Sequence, residues 1–119
     1  MMFWIFIYRL SLKLYTFGYY CFSFINDKAK HGWEGREFQE KRPWVYKGNT
    51  PLIWFHCASV GEFEQGKPLI EKWKHEYPDH FILVTFFSPS GFEGKGNDPM
   101  IDKVLYLPID HPQHSINFI

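Results

Sequence analysis

An α/β fold built on an open parallel sheet is what this sequence predicts, and three observations carry the prediction. Residues 52–58, Leu-Ile-Trp-Phe-His-Cys-Ala, form a continuous apolar run with a single histidine, the mark of a strand buried on both faces. Residues 62–78 follow, where Phe63, Gly66, Ile70, Trp73 and Tyr77 recur at helical spacing. Two more short runs, 81–87 (Phe-Ile-Leu-Val-Thr-Phe-Phe) and 104–107 (Val-Leu-Tyr-Leu), are bounded by turn residues. Strand, helix, strand, turn, strand in that order implies right-handed crossovers between parallel neighbours.

The chain has 119 residues, a length that suits one domain, and no net formal charge. Its 13 Phe, 7 Tyr and 5 Trp exclude a disordered chain, since that much aromatic surface must be buried somewhere. The zero net charge hides a split. Residues 1–50 carry eight Lys or Arg against four acids, and residues 51–119 carry five against nine. The basic half therefore suits an anionic partner. A nucleic acid is not that partner, because the cations form no long dense run. Cys21 and Cys57 have no short spacing, so they make neither a disulfide framework nor a zinc site and read as two buried thiols.

Residues 1–25 begin the chain as an apolar helix whose only charges, Arg9 and Lys13, lie four apart on one face with Thr16 and Tyr20. A bilayer core takes about 20 apolar residues to span. A cation near its middle costs about 2.5–3.5 kcal/mol on insertion scales. A cleaved signal peptide does not fit, because no positive charge precedes the apolar run and no small-residue cleavage site follows. A spanning helix with snorkelling cations, a helix lying in one leaflet, and an aromatic core helix all remain open. Membrane attachment is preferred, and the cationic stripe suits the leaflet position.

Residues 26–50 are a basic linker or helix. Lys28, Lys30, Arg36, Lys41, Arg42 and Lys47 would attract anionic head groups, at about 1 kcal/mol each near a surface. Glu34, Glu37 and Glu40 equally allow a solvated amphipathic helix that Pro43 ends. Lys47-Gly48-Asn49 is turn chemistry.

Residues 51–119 hold the α/β part. Pro68 sits awkwardly in the helical stretch: either the helix starts early and tolerates it, or Pro68 opens the helix. In open sheets ligands sit beyond the carboxyl ends of the strands. Ser59 to Glu62, Ser88 to Gly91 and Asp110 fall at those ends and should line one rim. Ser59-x-x-Glu62 has the form of a capping box, with a carboxylate that also suits the helix N-terminus. The same Glu62 is a candidate general base, with Gly61 allowing close approach of a ligand to the backbone. Pattern alone favours the cap. Ser88-Pro89-Ser90-Gly91 is either an anion-holding turn or an ordinary one, and it lacks both GxGxxG and the P-loop lysine. His56, His111 and His114 lack further ligands at suitable spacing, so no metal is expected.

The motifs in their order resemble a known family. Ile53 to Glu62 is similar to the first strand and Ser-x-Gly-Glu turn of 3-deoxy-D-manno-octulosonic acid (Kdo) transferases. So are Phe63-Glu64-Gln65-Gly66, Pro68-Leu69-Ile70, Glu76-Tyr77-Pro78, Thr85 to Glu93, and Tyr106-Leu107-Pro108-Ile109-Asp110. The apolar N-terminal helix and Gly35-Arg36 also match.

This resemblance implies the Rossmann-like N-terminal half of a two-domain glycosyltransferase of the GT-B type, truncated and preceded by a membrane-associated helix. Residues 1–25 would be the anchor, 26–50 the basic linker, and 51–119 part of the acceptor domain, with the donor domain absent. The implied reaction moves Kdo from CMP-Kdo to a lipid A precursor, lipid IVA, at the cytoplasmic face of the inner membrane. That is a step of lipopolysaccharide synthesis, and no cofactor is implied beyond the CMP-Kdo donor.

Glu62 matches the family's catalytic carboxylate, which reverses the preference for a cap alone. Ser59, Gly61, Ser88, Ser90 and Gly91 become candidate acceptor contacts. Arg36, Lys30, Lys41 and Arg42 are candidates for the acceptor's phosphates, Arg36 first because a guanidinium fork suits phosphate. The loop 94–99 carries no assigned role. A chain without a donor domain is expected to show negligible transfer alone. The competing readings are a non-catalytic membrane-surface module that binds a phosphorylated lipid, and a two-domain glycosyltransferase with another acceptor.

Overall fold

The computed structural model describes residues 1–42 and 44–108. Pro43, Asp110, His111 and His114, named above, lie outside the described residues. The elements in order are α1 (Met2–Ser23), α2 (Asp27–Lys41), β1 (Leu52–Cys57), α3 (Val60–Glu76), β2 (Phe81–Phe86), α4 (Pro89–Lys95) and β3 (Lys103–Tyr106). They divide between two compact units. The first holds α1 and α2, and the second is Trp44–Leu107.

In the first unit α1 is exposed on nearly every side: Phe3, Trp4, Phe6, Leu14, Phe17 and Phe22 are all more than half exposed. Its hydroxyls turn back onto its own backbone. Ser11 donates to the Tyr8 carbonyl at 2.7 Å, Thr16 to Leu12 at 2.8 Å and Ser23 to Tyr20 at 2.5 Å. Among the described residues, no helix is long and apolar enough to cross a membrane. Asn26 starts α2 as its N-cap, accepting from the N–H groups of Lys28 and Ala29. Trp33 of α2 packs against Tyr19 and Tyr20 of α1, and this aromatic seam joins the two helices.

The second unit is a three-stranded parallel sheet in the order β1-β2-β3. Ile53, Phe55 and Cys57 of β1, Ile82, Val84 and Phe86 of β2 and Val104 of β3 share one face. Phe63, Ile70, Trp73 and Phe92 of α3 and α4 pack on it. Phe63, Ile70, Ile82, Val84 and Phe86 are at most 1% exposed, and burying each such side chain contributes roughly 1.5–3 kcal/mol.

Three expectations are corrected here. Strand β1 is not buried on both faces. Trp54 and His56 are exposed while their odd-numbered neighbours face the core, because side chains alternate along a strand and α3 and α4 pack on the face of the odd-numbered residues. The doubly buried strand is β2, which has a neighbour on each side. The segment after β2 is not a plain turn but the short helix α4. Its start signals are a Ser88 N-cap and a proline at the first position, while two glycines weaken its helical pattern. The third correction is Cys21, which is exposed on α1, so of the two thiols only Cys57 is buried. Of the two readings of Pro68 in α3, the early start holds. The helix begins at Val60 and carries the proline inside.

Candidate functional site

The carboxyl ends of β1 and β2 meet at Ala58. After Cys57 the chain leaves the sheet, and Ser59 takes an extended conformation (φ −142°, ψ 170°) as the N-cap of α3. Its hydroxyl accepts from the Glu62 N–H at 3.4 Å, a long bond for a cap. The Glu62 carboxylate reaches back one residue further than a capping box requires. Its Oε2 accepts from the Ala58 N–H at 2.6 Å. The carbonyl of the same Ala58 accepts from the Ser88 N–H at 3.0 Å. One residue thus ties the Glu62 carboxylate to the turn that follows β2.

Glu62 is exposed, and its second oxygen, Oε1, has no partner among the described residues. An anchored carboxylate with one oxygen open at a helix start is a group that accepts a proton or a hydroxyl hydrogen bond. The neighbouring Cys57 thiol is buried. Burial pushes Cys57 up from the ordinary cysteine range and the Glu62 charge pushes it further, so it stays protonated.

The second turn is built differently. Ser88 caps α4 by accepting from the Gly91 N–H at 3.3 Å, and its hydroxyl lies 3.2 Å from that of Ser90. Gly91 is buried, and a Cβ there would overlap the Phe86 ring. At Gly61 a Cβ would meet only the Ser59 hydroxyl oxygen, at 3.8 Å. No described residue, glycine included, has a positive φ.

Glu62, Ser59, Gly61, Ser88, Ser90 and Gly91 therefore gather at one end of the sheet. The basic candidates lie on α2 or at its end, in the first unit, and each has a partner there. Lys30 lies 3.9 Å from Glu34 and Lys41 lies 2.8 Å from Glu37, both exposed pairs one turn apart. Arg36 donates to the Gly32 carbonyl at 3.1 Å with its guanidinium over the Tyr19 ring. Arg42 lies over the Phe38 ring. No cluster of three His, Cys, Asp or Glu side chains able to hold a metal occurs among the described residues.

Sequence reasoning missed the residues that hold the two helices together. Lys95 of α4 pairs with Glu64 of α3, and Lys67 of α3 lies 3.3 Å from the nearly buried Asp98. The Lys95 ammonium draws Glu64 below the usual carboxylate range. Burial alone would raise Asp98, but the Met100 N–H, Lys67 and Lys95 together outweigh it and hold that carboxyl low. The loop without an assigned role thus carries the acid that fastens it to α3. Only the spacing of charges 31 residues apart hints at the pair, and that is no readable signal.

Residues 31–119 match the model of the family described as "3-Deoxy-D-manno-octulosonic-acid transferase (kdotransferase)". The chain is similar to the 3-deoxy-D-manno-octulosonic acid transferase of Chlamydia muridarum, 40% identical over 70% of this chain and 19% of that protein. It is 33% identical to the transferase of Chlamydophila psittaci, over 82% of this chain and 26% of that one. For the transferase of Aquifex aeolicus the identity is 39%, over 50% and 16%. The chain thus spans about a fifth of the length of the curated relatives it matches. No solved structure matches it.

Proposed function

We propose, from the premise that the chain belongs to the 3-deoxy-D-manno-octulosonic acid transferase family, that it forms the acceptor side of an enzyme moving Kdo from CMP-Kdo to a lipid A precursor. One observation carries this reading: the exposed Glu62 carboxylate at the end of β1, with Oε2 held by Ala58 and Oε1 open. A sugar hydroxyl is a poor nucleophile near pH 7. Glu62 takes its proton as the new C–O bond to Kdo forms, and the bond from Kdo to the CMP phosphate breaks with its electrons going to the phosphate. The charge growing on the departing phosphate is met by groups of a donor domain that also binds CMP-Kdo. Such a domain is part of the two-domain GT-B reading. The acceptor is a phosphorylated, acylated disaccharide. In the second unit, Ser59, Gly61, Ser88, Ser90 and Gly91 are the candidate contacts at the sheet end; in the first unit, Arg36, Lys30, Lys41 and Arg42 are candidates for phosphate groups.

The acceptor's acyl chains require a membrane surface, the cytoplasmic face of the inner membrane in this reading. The exposed aromatic surface of α1 and its self-satisfied hydroxyls support a helix lying in one leaflet. The first 42 residues should carry the chain onto vesicles containing anionic lipid. A chain that stays unbound after their presentation at low salt would remove this part of the proposal.

The central test is Glu62→Gln in a protein that carries this chain together with a donor domain. Kdo transfer is expected to fall about 10²–10⁴-fold with acceptor binding retained. Unchanged turnover would sink the proposal. The chain alone is expected to show negligible transfer.

A further inference from the structure

The sheet face turned away from α3 carries a polar constellation that the reaction above does not use. His56 of β1 lies in register with Thr85 of β2, and Trp54 precedes it on the same face. Thr85 is fully buried, although it sits in the most apolar strand of the unit. A buried hydroxyl there is costly unless it is bonded, and valine would fill the same volume without that cost. What the hydroxyl does is hold two rings. The Trp54 Nε1–H donates to Thr85 Oγ1 at 2.9 Å, and His56 Nδ1 lies 3.0 Å from the same oxygen.

The direction of these bonds follows from the chemistry of the groups. An indole N–H only donates, so Thr85 accepts from Trp54. The buried hydroxyl hydrogen then needs an acceptor of its own, and among the described residues His56 Nδ1 is the one within reach. With Nδ1 accepting, the neutral imidazole carries its hydrogen on Nε2. His56 is exposed, and it stands one residue before the end of β1, the end from which Glu62 rises.

We infer that His56 is a ligand-orienting residue, whose Nε2–H, fixed in tautomer and direction by the buried Thr85 hydroxyl, donates to an oxygen of the sugar acceptor. Thr85 is then a positioning residue, with Trp54 completing its bonding. This inference rests on the β1 end being the acceptor side. The oxygen belongs to a sugar hydroxyl or to a phosphate, and the probes below separate the two.

The experiment uses the 119-residue chain with isotope-labelled histidine. Proton–nitrogen correlation spectra should show His56 as the Nε2–H tautomer, and Thr85→Val should abolish the preference. The probes are a phosphorylated disaccharide without acyl chains and its dephosphorylated form. Binding should shift the His56 Nε2 signal. His56→Ala should raise Kd roughly threefold to tenfold, the range one hydrogen bond supports, and His56→Gln should recover part of it. A response kept with the dephosphorylated sugar assigns the hydroxyl, and one lost with it assigns the phosphate. An Nδ1–H tautomer in the native chain, or an unchanged Kd in His56→Ala, overturns the inference while leaving the Glu62 reading intact. A native chain that binds neither disaccharide overturns both.

Discussion

Two corners of one sheet are written in similar letters and solve different problems. After β1 the chain runs through Ser59, Val60, Gly61 and Glu62 into α3. After β2 it runs through Ser88, Pro89, Ser90 and Gly91 into α4. Each begins with a serine N-cap that accepts from the third residue along, at 3.4 Å and 3.3 Å. The second corner closes inward, because Gly91 lies against the Phe86 ring and leaves no room for a methyl group. The first opens outward, because the space beyond Gly61 is empty apart from the Ser59 hydroxyl. Packing therefore explains one glycine and not the other. A glycine the fold does not require, beside an exposed carboxylate, fits a place where something else approaches.

The comparison can be broken in several ways, and the largest expected effect is the loss of transfer in Glu62→Gln. A comparable loss on altering the second corner without loss of stability would mean that the two corners share the chemistry. Next comes Gly91→Ala. Phe86 is fully buried and cannot yield, so overpacking should cost about 1–3 kcal/mol, partly offset by better helix propensity. Thermal or denaturant unfolding reads this directly, and a stability equal to native would show that the core relaxes around the methyl group. Gly61→Ala should leave stability within about 0.5 kcal/mol of native while weakening acceptor binding. If it unfolds the chain instead, the contrast between the corners is wrong.

The smallest effect concerns the fastening to α3 of the loop that follows α4. Asp98 is held below the ordinary carboxylate range, so its contribution is fully present above the unfolded pKa and lost as pH falls through the folded one. Asp98→Asn should lower Tm by a few degrees at pH 7. The gap should begin to close as pH falls below the ordinary aspartate value of about 4 and vanish only below the lower folded pKa, where the native carboxyl protonates too. A gap that persists into acid would mean that the amide fails for reasons of shape rather than charge.

Much of this was legible from composition and spacing. The apolar runs located all three strands within a residue or so at each end. The spacing from Phe63 to Ile70 located the buried face of α3, since helical period reports a face wherever one side packs. The Ser-x-x-Glu pattern pointed at Glu62. Helix α4 was less legible, because seven residues with two glycines fall short of the length at which period becomes a signal. The two-faced burial expected of β1 failed for a related reason. A continuous apolar run states what a strand is made of, not how many layers cover it.

The sequence by itself determined the order of the strands and of helix α3, the serine at the start of α3 and the presence of a carboxylate at the first turn. These depend on residues a few positions apart, where covalent geometry sets the reach. Only the tertiary structure decided that Ala58 would hold Glu62 with its N–H and Ser88 with its carbonyl. Only there does Thr85 fall beside His56, and Asp98 beside Lys67. Those pairs lie about thirty residues apart in the chain. What joins them is sheet register and helix packing, which arise when the whole core excludes water together and which no local spacing encodes.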